Sequence, residues 1–220
     1  MNTAAVISET GTVFQLVYRQ SRRLLSGARV AATAMLALLP GLALAHEGSS
    51  LPYGSFMGGL THPVLGLDHF LAMVSVGIVS AQIGGRAIWT VPATFVCVMA
   101  VGGLLGWLDV GLSATEVGIS VSVLGLGAAI AADKRLPISL AMTAVGFFAI
   151  FHGYAHGAEM PTVARATTYA LGFLTGTAAL HIAGVIVGDI SQHYASGKLL
   201  LRLTGASIAA MGLAFLTGVA

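Results

Sequence analysis

The chain has 220 residues, of which 56% are hydrophobic and only 8% are charged, with a formal net charge of +2 and a mean hydropathy of +0.91. Soluble domains carry about 25% charged residues, so this composition predicts an integral membrane protein. The basic residues form no cluster beyond the first thirty positions, which argues against nucleic-acid binding, and the single cysteine, Cys97, excludes a disulfide framework or a thiolate metal cluster within one chain.

Residues 1–45 are predicted to be a leader and signal peptide. Four arginines precede an apolar run of about 15 residues that ends in Ala43-Leu44-Ala45, which together form a basic region, a short apolar region and an A-x-A cleavage site. The run is shorter than the roughly 20 residues that span a bilayer, although an uncleaved signal anchor is the alternative. Cleavage after Ala45 would leave residues 46–220 as the membrane domain. The new terminus would begin with His46, either as a metal chelator or as an ordinary exposed end.

Six apolar runs in residues 46–220 are long enough to span a membrane, which predicts an all-α, polytopic bundle of six transmembrane helices. Trp89 and Trp107 bracket the second run and fit an aromatic belt at the two membrane interfaces. Cys97 lies within that run and is predicted to be a small buried apolar residue. The predicted limits are 54–80, 88–108, 114–132, 137–155, 164–187 and 198–219.

The distribution of basic residues predicts how the bundle is oriented. The loops and helix ends that follow the first, third and fifth runs carry five basic residues, whereas the opposite side carries only Arg165. Because basic residues favour the cytoplasmic side, both the N-terminus and the C-terminus are expected outside. The five are Arg86, Lys134, Arg135, Lys198 and Arg202.

Pairs of glycines four residues apart occur on several predicted helices. Small residues at this spacing let helix backbones approach closely in lipid. Either packing within the chain or association of copies into a homo-oligomer would use such faces. The pairs are Gly102/Gly106, Gly172/Gly176 and Gly184/Gly188.

The first predicted helix carries an unusual set of polar residues, in the stretch HPVLGLDHFLAM from His62 to Met73. Such residues are costly in a bilayer, so they are expected to face the bundle interior and to have partners. His62 and His69 are seven residues apart and would share one helix face, which Met73 continues. Asp68 would either join the same site or orient an imidazole. Pro63 is expected to kink the helix or to start a new one.

A second polar group, His152, His156 and Glu159, ends the fourth predicted helix. The spacings of four and three residues place all three side chains on one face. Both groups would lie in the outer half of the membrane and could converge. Imidazoles with carboxylates are common ligands of divalent transition metals, so the six residues His62, Asp68, His69, His152, His156 and Glu159 are predicted to bind a metal ion. The alternative is a set of interhelical hydrogen bonds that fasten the bundle.

Three other polar residues lie outside these two groups. His181, in the fifth predicted helix, is either a relay point on an exit path or a hydrogen-bonded core histidine. His193 is expected to be solvated in a loop, and Tyr154 is expected to be an interfacial aromatic residue rather than a ligand.

The motif His62-Pro63-x-x-Gly66-x-Asp68-His69 resembles the signature of the HupE/UreJ family of nickel and cobalt permeases. The later motif from His152 to Glu159, the leader before His46 and the six-span plan are also similar to that family. The resemblance covers about residues 40–220. It implies a multi-pass protein of the bacterial inner membrane that supplies nickel or cobalt to enzymes. It also implies that His62, Asp68, His69 and Glu159 are the strongest candidates for function.

The predicted function is therefore a secondary transporter that takes up Ni²⁺ or Co²⁺ as its substrate, with no permanently bound cofactor and no catalytic residues. Imidazole ligation also suits Zn²⁺ and Cu²⁺. The sequence has no Walker motif and neither an H-E-x-x-H nor a G-x-S-x-G motif, so we expect no enzymatic activity. The alternatives are a membrane-embedded metal-dependent hydrolase and a metal-binding assembly or sensor protein that does not transport.

Overall fold

Seven α-helices and no β-strand make up the part of the chain described by the computed structural model, which comprises Leu51 and residues 53–219. The predicted leader, the cleavage site at Ala45 and the proposed ligand His46 lie outside these residues. In chain order the helices are α1 (Gly54–Leu65), α2 (Leu67–Ile83), α3 (Ala87–Trp107), α4 (Thr115–Ala132), α5 (Ile138–Ala158), α6 (Ala166–Gln192) and α7 (Ala195–Thr217).

The prediction of an all-α, polytopic membrane protein is confirmed. Helices α3 to α7 are each long and apolar enough to cross a membrane, and they match the second to sixth predicted spans to within a few residues at most ends. Counting α1 and α2 together as one span gives the predicted six. α5 continues to Ala158 and α6 extends to Gln192, so His156 lies within α5, just beyond the predicted limit at residue 155.

The first span differs from the prediction, because it is not a continuous helix over 54–80. It consists of α1 and α2, whose axes meet at an angle of 83°. The prediction that His62 and His69 share one face of one helix is therefore wrong, since these residues lie on two helices. Pro63 was the expected point of the kink, but α1 continues through it to Leu65.

The chain turns at Gly66, which has an extended backbone (φ −85°, ψ 115°) between the two helices. Asp68 then stabilises the start of α2, since its Oδ1 accepts a hydrogen bond from the backbone N–H of His69 at 2.7 Å. A Cβ atom at position 66 would lie only 3.1 Å from Asp68 Oδ1 and 3.3 Å from His69 Nδ1. A glycine here thus leaves room for both the turn and the Asp68–His69 pair.

The bundle is built from three close helix pairings. Both α1 and α2 pack along α6, α3 packs along α5, and α4 packs along α7. The glycine pairs predicted as packing faces lie in these contacts: added Cβ atoms at Gly102 and Gly106 would collide with α5, those at Gly172 and Gly176 with α1, and those at Gly184 and Gly188 with α2. These faces are covered within the chain, as the first of the two interpretations predicts, and association of copies through glycine-rich faces stays a prediction.

The first span uses more residues than α6, the helix it packs along, to cover the same distance. Between the contacts of α6 with Leu60 and with Val74, α6 advances eight residues, from Gly176 to Gly184. The α1–α2 pair uses fourteen residues over the same interval, from Leu60 to Val74. The surplus residues form the bend that carries the first polar motif.

Polar side chains join three helices at the end of the bundle where α2, α4 and α6 end. Asp133 Oδ1 accepts hydrogen bonds from Gln82 Nε2 at 3.1 Å and from Gln192 Nε2 at 3.2 Å. Gln82 also donates to the carbonyl of Ile130 at 3.1 Å. Asp133 has the left-handed backbone conformation, φ 50°, that ends α4.

The outer surface of the helices is apolar, as expected for a face in contact with lipid. Trp89 and Trp107 are both exposed at the two ends of α3, which fits the predicted aromatic belt. Cys97 is also exposed on α3, so the prediction that it is buried inside the protein is wrong.

Candidate functional site

The six predicted site residues lie next to one another at the end of the bundle where α1 begins and α5 ends. We call this group, which consists of His62, Asp68, His69, His152, His156 and Glu159, the histidine cluster. The bend at Gly66 brings His62 and His69 to it from two helices, and one face of α5 supplies the other two imidazoles. The sequence-based prediction that the two motifs converge therefore agrees with the geometry.

The imidazole rings form a row rather than a ring of ligands. The centroid of His156 lies 4.8 Å from that of His62 and 4.5 Å from that of His69. His69 in turn lies 4.9 Å from His152. The row therefore runs His62, His156, His69, His152, and each ring contacts the next.

The row leads from an exposed end to a buried one. The side chain of Glu159, just beyond the end of α5, is 56% exposed, and that of His62 is 29% exposed. His69 is 7% exposed, whereas His156 and His152 are fully buried. The cluster thus connects the surface of the bundle with its interior.

Close packing of α3 against α5 sets the direction of the two α5 imidazoles. Gly153 and Gly157 directly follow His152 and His156, and an added Cβ at either glycine would collide with a backbone carbonyl of α3. Because the glycine face is pressed against α3, the imidazoles lie on a different face of the helix, toward α1 and α2.

At the exposed end, His62 joins two other side chains. Its Nδ1 is 2.8 Å from the phenol oxygen of Tyr169, and its Nε2 is 3.6 Å from Oε2 of Glu159. The neighbouring His62 imidazole holds the pKa of Glu159 below its usual range, although partial burial acts in the opposite direction. Glu159 is therefore ionised at neutral pH and places a negative charge at the start of the row.

Asp68 orients His69 from behind, which was one of the two roles predicted for it. Asp68 Oδ1 lies 2.9 Å from His69 Nδ1. The carboxylate can only accept, so Nδ1 carries a proton, and in the neutral imidazole Nε2 then has the free lone pair. A carboxylate that holds an imidazole in this way is the usual support of a histidine ligand to a metal.

Ser122, on α4, orients His152 in a comparable way. Its hydroxyl lies 2.7 Å from the carbonyl of Ile119 and 2.8 Å from His152 Nε2. Since the single hydroxyl proton is donated to the carbonyl, the serine oxygen accepts from Nε2–H. The free lone pair of His152 is then on Nδ1.

Four buried ring nitrogens of the cluster have no hydrogen-bond partner among the described residues. They are His69 Nε2, His152 Nδ1 and both ring nitrogens of His156. A buried polar atom without a partner costs about 1–3 kcal/mol. Within residues 53–219, however, no group of three or more His, Cys, Asp or Glu side chains is already arranged to hold a metal ion. The donors are adjacent but are not preassembled around one point, so metal ligation by these six residues stays a prediction.

Sequence reasoning missed Tyr169 and Ser122, because each belongs to an otherwise ordinary apolar helix. It also left His181 open. His181 is 1% exposed and therefore lies in the core, but neither ring nitrogen has a hydrogen-bond partner in the described part of the chain. His193 is exposed, as expected, and contacts the carbonyl of Asp189.

The fold and this site define a polytopic helical membrane protein with a cluster of histidines and carboxylates between its helices. The chain belongs to the HupE/UreJ family, since the family model described as HupE / UreJ protein matches residues 33–215. It is also 40% identical over 190 residues to Protein HupE of Rhizobium leguminosarum bv. viciae, a match that covers 86% of this chain and 98% of that protein. No solved structure matches the chain.

Proposed function

We propose that this protein is a secondary permease that carries Ni²⁺, or Co²⁺, into the cell across the bacterial inner membrane. The observation that carries the proposal is the row of four imidazoles, which begins beside an exposed carboxylate and ends in the core with unpaired ring nitrogens. Membership of a family associated with nickel and cobalt uptake supports the choice of substrate.

Glu159 and His62 form the first binding point in this proposal. The ionised Glu159 attracts a cation to the exposed end of the row, and His62 lies beside it. A cavity of about 270 Å³ in the same region is lined almost entirely by apolar residues and borders His156, Trp107 and Met160.

Transfer then proceeds between imidazoles, with the cation leaving one nitrogen as it gains the next. Conduction requires sites that bind well enough to be entered and weakly enough to be left. A row of adjacent donors that are not preassembled into a closed shell meets this requirement better than a tight tetrahedral site would. Asp68 supports the step at His69, and Ser122 supports the step at His152.

The ligand chemistry supports a borderline divalent ion. The cluster offers imidazole nitrogens and carboxylate oxygens, which suit Ni²⁺ and Co²⁺, and it has no thiolate of the kind that selects Cu⁺. Binding to neutral imidazole is favoured at higher pH, because a protonated ring must release its proton first.

The orientation of the protein in the membrane is part of the same proposal. With the N-terminus and the C-terminus outside, the Glu159 end of the bundle faces the outside, and the end with Asp133, Gln82 and Gln192 faces the cytoplasm. The row of imidazoles then starts where the metal is taken up, and its buried end points inward.

The test is uptake of radioactive Ni²⁺ by bacteria that carry this chain, His69→Ala or His193→Ala. We expect H69A to lose nearly all uptake above background, because Nε2 of His69 joins the outer and inner parts of the row. H193A is the matched control, since it removes an exposed imidazole outside the cluster, and it should retain wild-type uptake. Equal accumulation by H69A and wild type would refute the role of the cluster.

Reconstitution separates a permease from a protein that binds metal without moving it. The purified chain in liposomes that contain a trapped metal indicator should produce an internal signal when Ni²⁺ is added outside. Binding in detergent without any flux in liposomes would support the assembly or sensor alternative instead.

A further inference from the structure

We propose that His181 is a second station for the transported cation, on the inner side of the histidine cluster. This inference rests on the permease function proposed above. His181 lies on α6 outside both sequence motifs, is 1% exposed, and has no hydrogen-bond partner on either ring nitrogen among residues 53–219.

The position of His181 continues the row of imidazoles. The ring of Phe95 lies between it and the cluster, with centroids 5.5 Å from His152 and 5.1 Å from His181. One aromatic ring therefore separates the last imidazole of the row from the next one inward. Phe95 is itself buried, at 1% exposed, so the two histidines are linked through the core and not over the surface.

The nearest polar group on the same helix face does not account for the imidazole. Thr177 precedes His181 by four residues and is fully buried. Its hydroxyl donates to the sulfur of Met99 at 3.9 Å instead of to the histidine. His181 also borders an apolar cavity of about 430 Å³ between α3 and α6, whose lining includes Trp89 and Cys97 on the exposed outer surface.

An imidazole with two unpaired nitrogens is an expensive residue to retain in an apolar core. A leucine of similar size would pack there without an unsatisfied polar atom. We infer that the imidazole is retained because it meets a divalent transition-metal ion for a short time, as the ion passes Phe95 from His152. A single imidazole completed by water molecules binds such an ion weakly, which suits a release step.

The experiment compares wild type, His181→Leu and the control His193→Leu, each purified as the full chain. Three quantities are measured: Ni²⁺ flux into liposomes, Ni²⁺ affinity in detergent by calorimetry, and the thermal unfolding temperature. We expect H181L to reduce the maximal flux about tenfold or more. Its affinity at the histidine cluster should stay within about twofold of wild type because the sites are separate. Its unfolding temperature should be equal to or higher than that of wild type.

The combination of slower flux with unchanged or greater stability is what a purely structural histidine would not produce. The inference is overturned if H181L transports at the wild-type rate, if its loss of flux is matched by loss of stability, or if H193L loses as much flux. Absence of any flux in the wild-type chain would refute the permease proposal itself, whereas a normal flux in H181L would refute only the role of His181.

Discussion

Replacing Asp68 with asparagine tests the charge behind the central histidine without changing the shape of the site. Asp68 Oδ1 lies 2.9 Å from His69 Nδ1 and 2.7 Å from the backbone nitrogen of the same residue. The amide oxygen of asparagine can accept both hydrogen bonds. D68N therefore keeps the turn into α2 and the orientation of His69, and it removes the negative charge.

The expected loss of metal affinity in D68N follows from the distance between Asp68 and a cation bound to His69. A cation bound to Nε2 of His69 would lie about 2.1 Å from that nitrogen and thus roughly 7 Å from Asp68 Oδ1, across the ring. At an effective dielectric constant of about 20, a dication and a carboxylate at this distance attract each other by about 5 kcal/mol. This is an upper limit, because the Asp68 side chain is 26% exposed and solvent screens it. Loss of such a supporting group lowers metal affinity about 10–100-fold, which we expect for D68N.

Calorimetric titration of purified D68N with Ni²⁺ measures this change directly. The matched control is Asp109→Asn, which removes a carboxylate outside the cluster from the loop after α3; its φ of 54° is one that asparagine tolerates. D109N should bind Ni²⁺ as wild type does. Wild-type affinity in D68N would refute the idea that Asp68 acts through His69. An equal loss in both variants would assign the effect to net charge alone.

Three further substitutions probe the contacts around the cluster and the packing that positions it. Tyr169→Phe removes the 2.8 Å contact to His62 and should weaken Ni²⁺ binding by about 1 kcal/mol, or roughly fivefold, in the same titration. Gly153→Ala should destabilise the fold by about 1–3 kcal/mol in thermal unfolding, because its Cβ meets the α3 backbone; Gly125→Ala has open space and should be nearly neutral. Asp133→Gly keeps the left-handed end of α4 but loses both glutamine hydrogen bonds, so unfolding should become easier by about 1–2 kcal/mol. Unchanged unfolding of G153A or D133G, or unchanged binding by Y169F, would contradict the corresponding contact.

Much of the fold follows from hydropathy alone, because a bilayer restricts a spanning chain to long apolar helices. The limits of α3 and α4 agree with the sequence-based spans to within one residue, and those of α5 and α7 to within three. The convergence of the two motifs was also predictable from the sequence, because the alternating directions of the spans place His62 and His156 at the same depth.

The bend at Gly66 could not be read from the pattern in the same way. Pro63 indicated a disturbance of the first span, yet a proline can be accommodated within a helix when neighbouring groups satisfy the freed carbonyl. The turn depends on the space that Gly66 leaves for Asp68 and His69. It also depends on the length of α6 that packs beside the first span. This relation between two distant segments has no local signal in the sequence.

The partners of the imidazoles were hidden for a similar reason. Ser122 and Tyr169 are 30 and 107 residues away in sequence from the histidines that they contact. A serine or a tyrosine in an apolar helix is common and carries no spacing that would mark it. Only the packing of α4 on α5, and of α6 on α1, selects these two among the other hydroxyl groups of the chain.

These two contacts bear on the choice between the proposed metal site and the alternative in which the histidines fasten the bundle. A fastening network would pair most of the imidazole nitrogens across helices. Here only two interhelical hydrogen bonds involve cluster imidazoles within the described residues, those of His62 with Tyr169 and of His152 with Ser122. Four buried nitrogens are left without partners among the described residues, at a cost of about 1–3 kcal/mol each, so hydrogen bonding does not account for most of the cluster. Buried imidazoles that contact one another, with most of their ring nitrogens unpaired in the described part of the chain, fit the proposed metal site better than a fastening network.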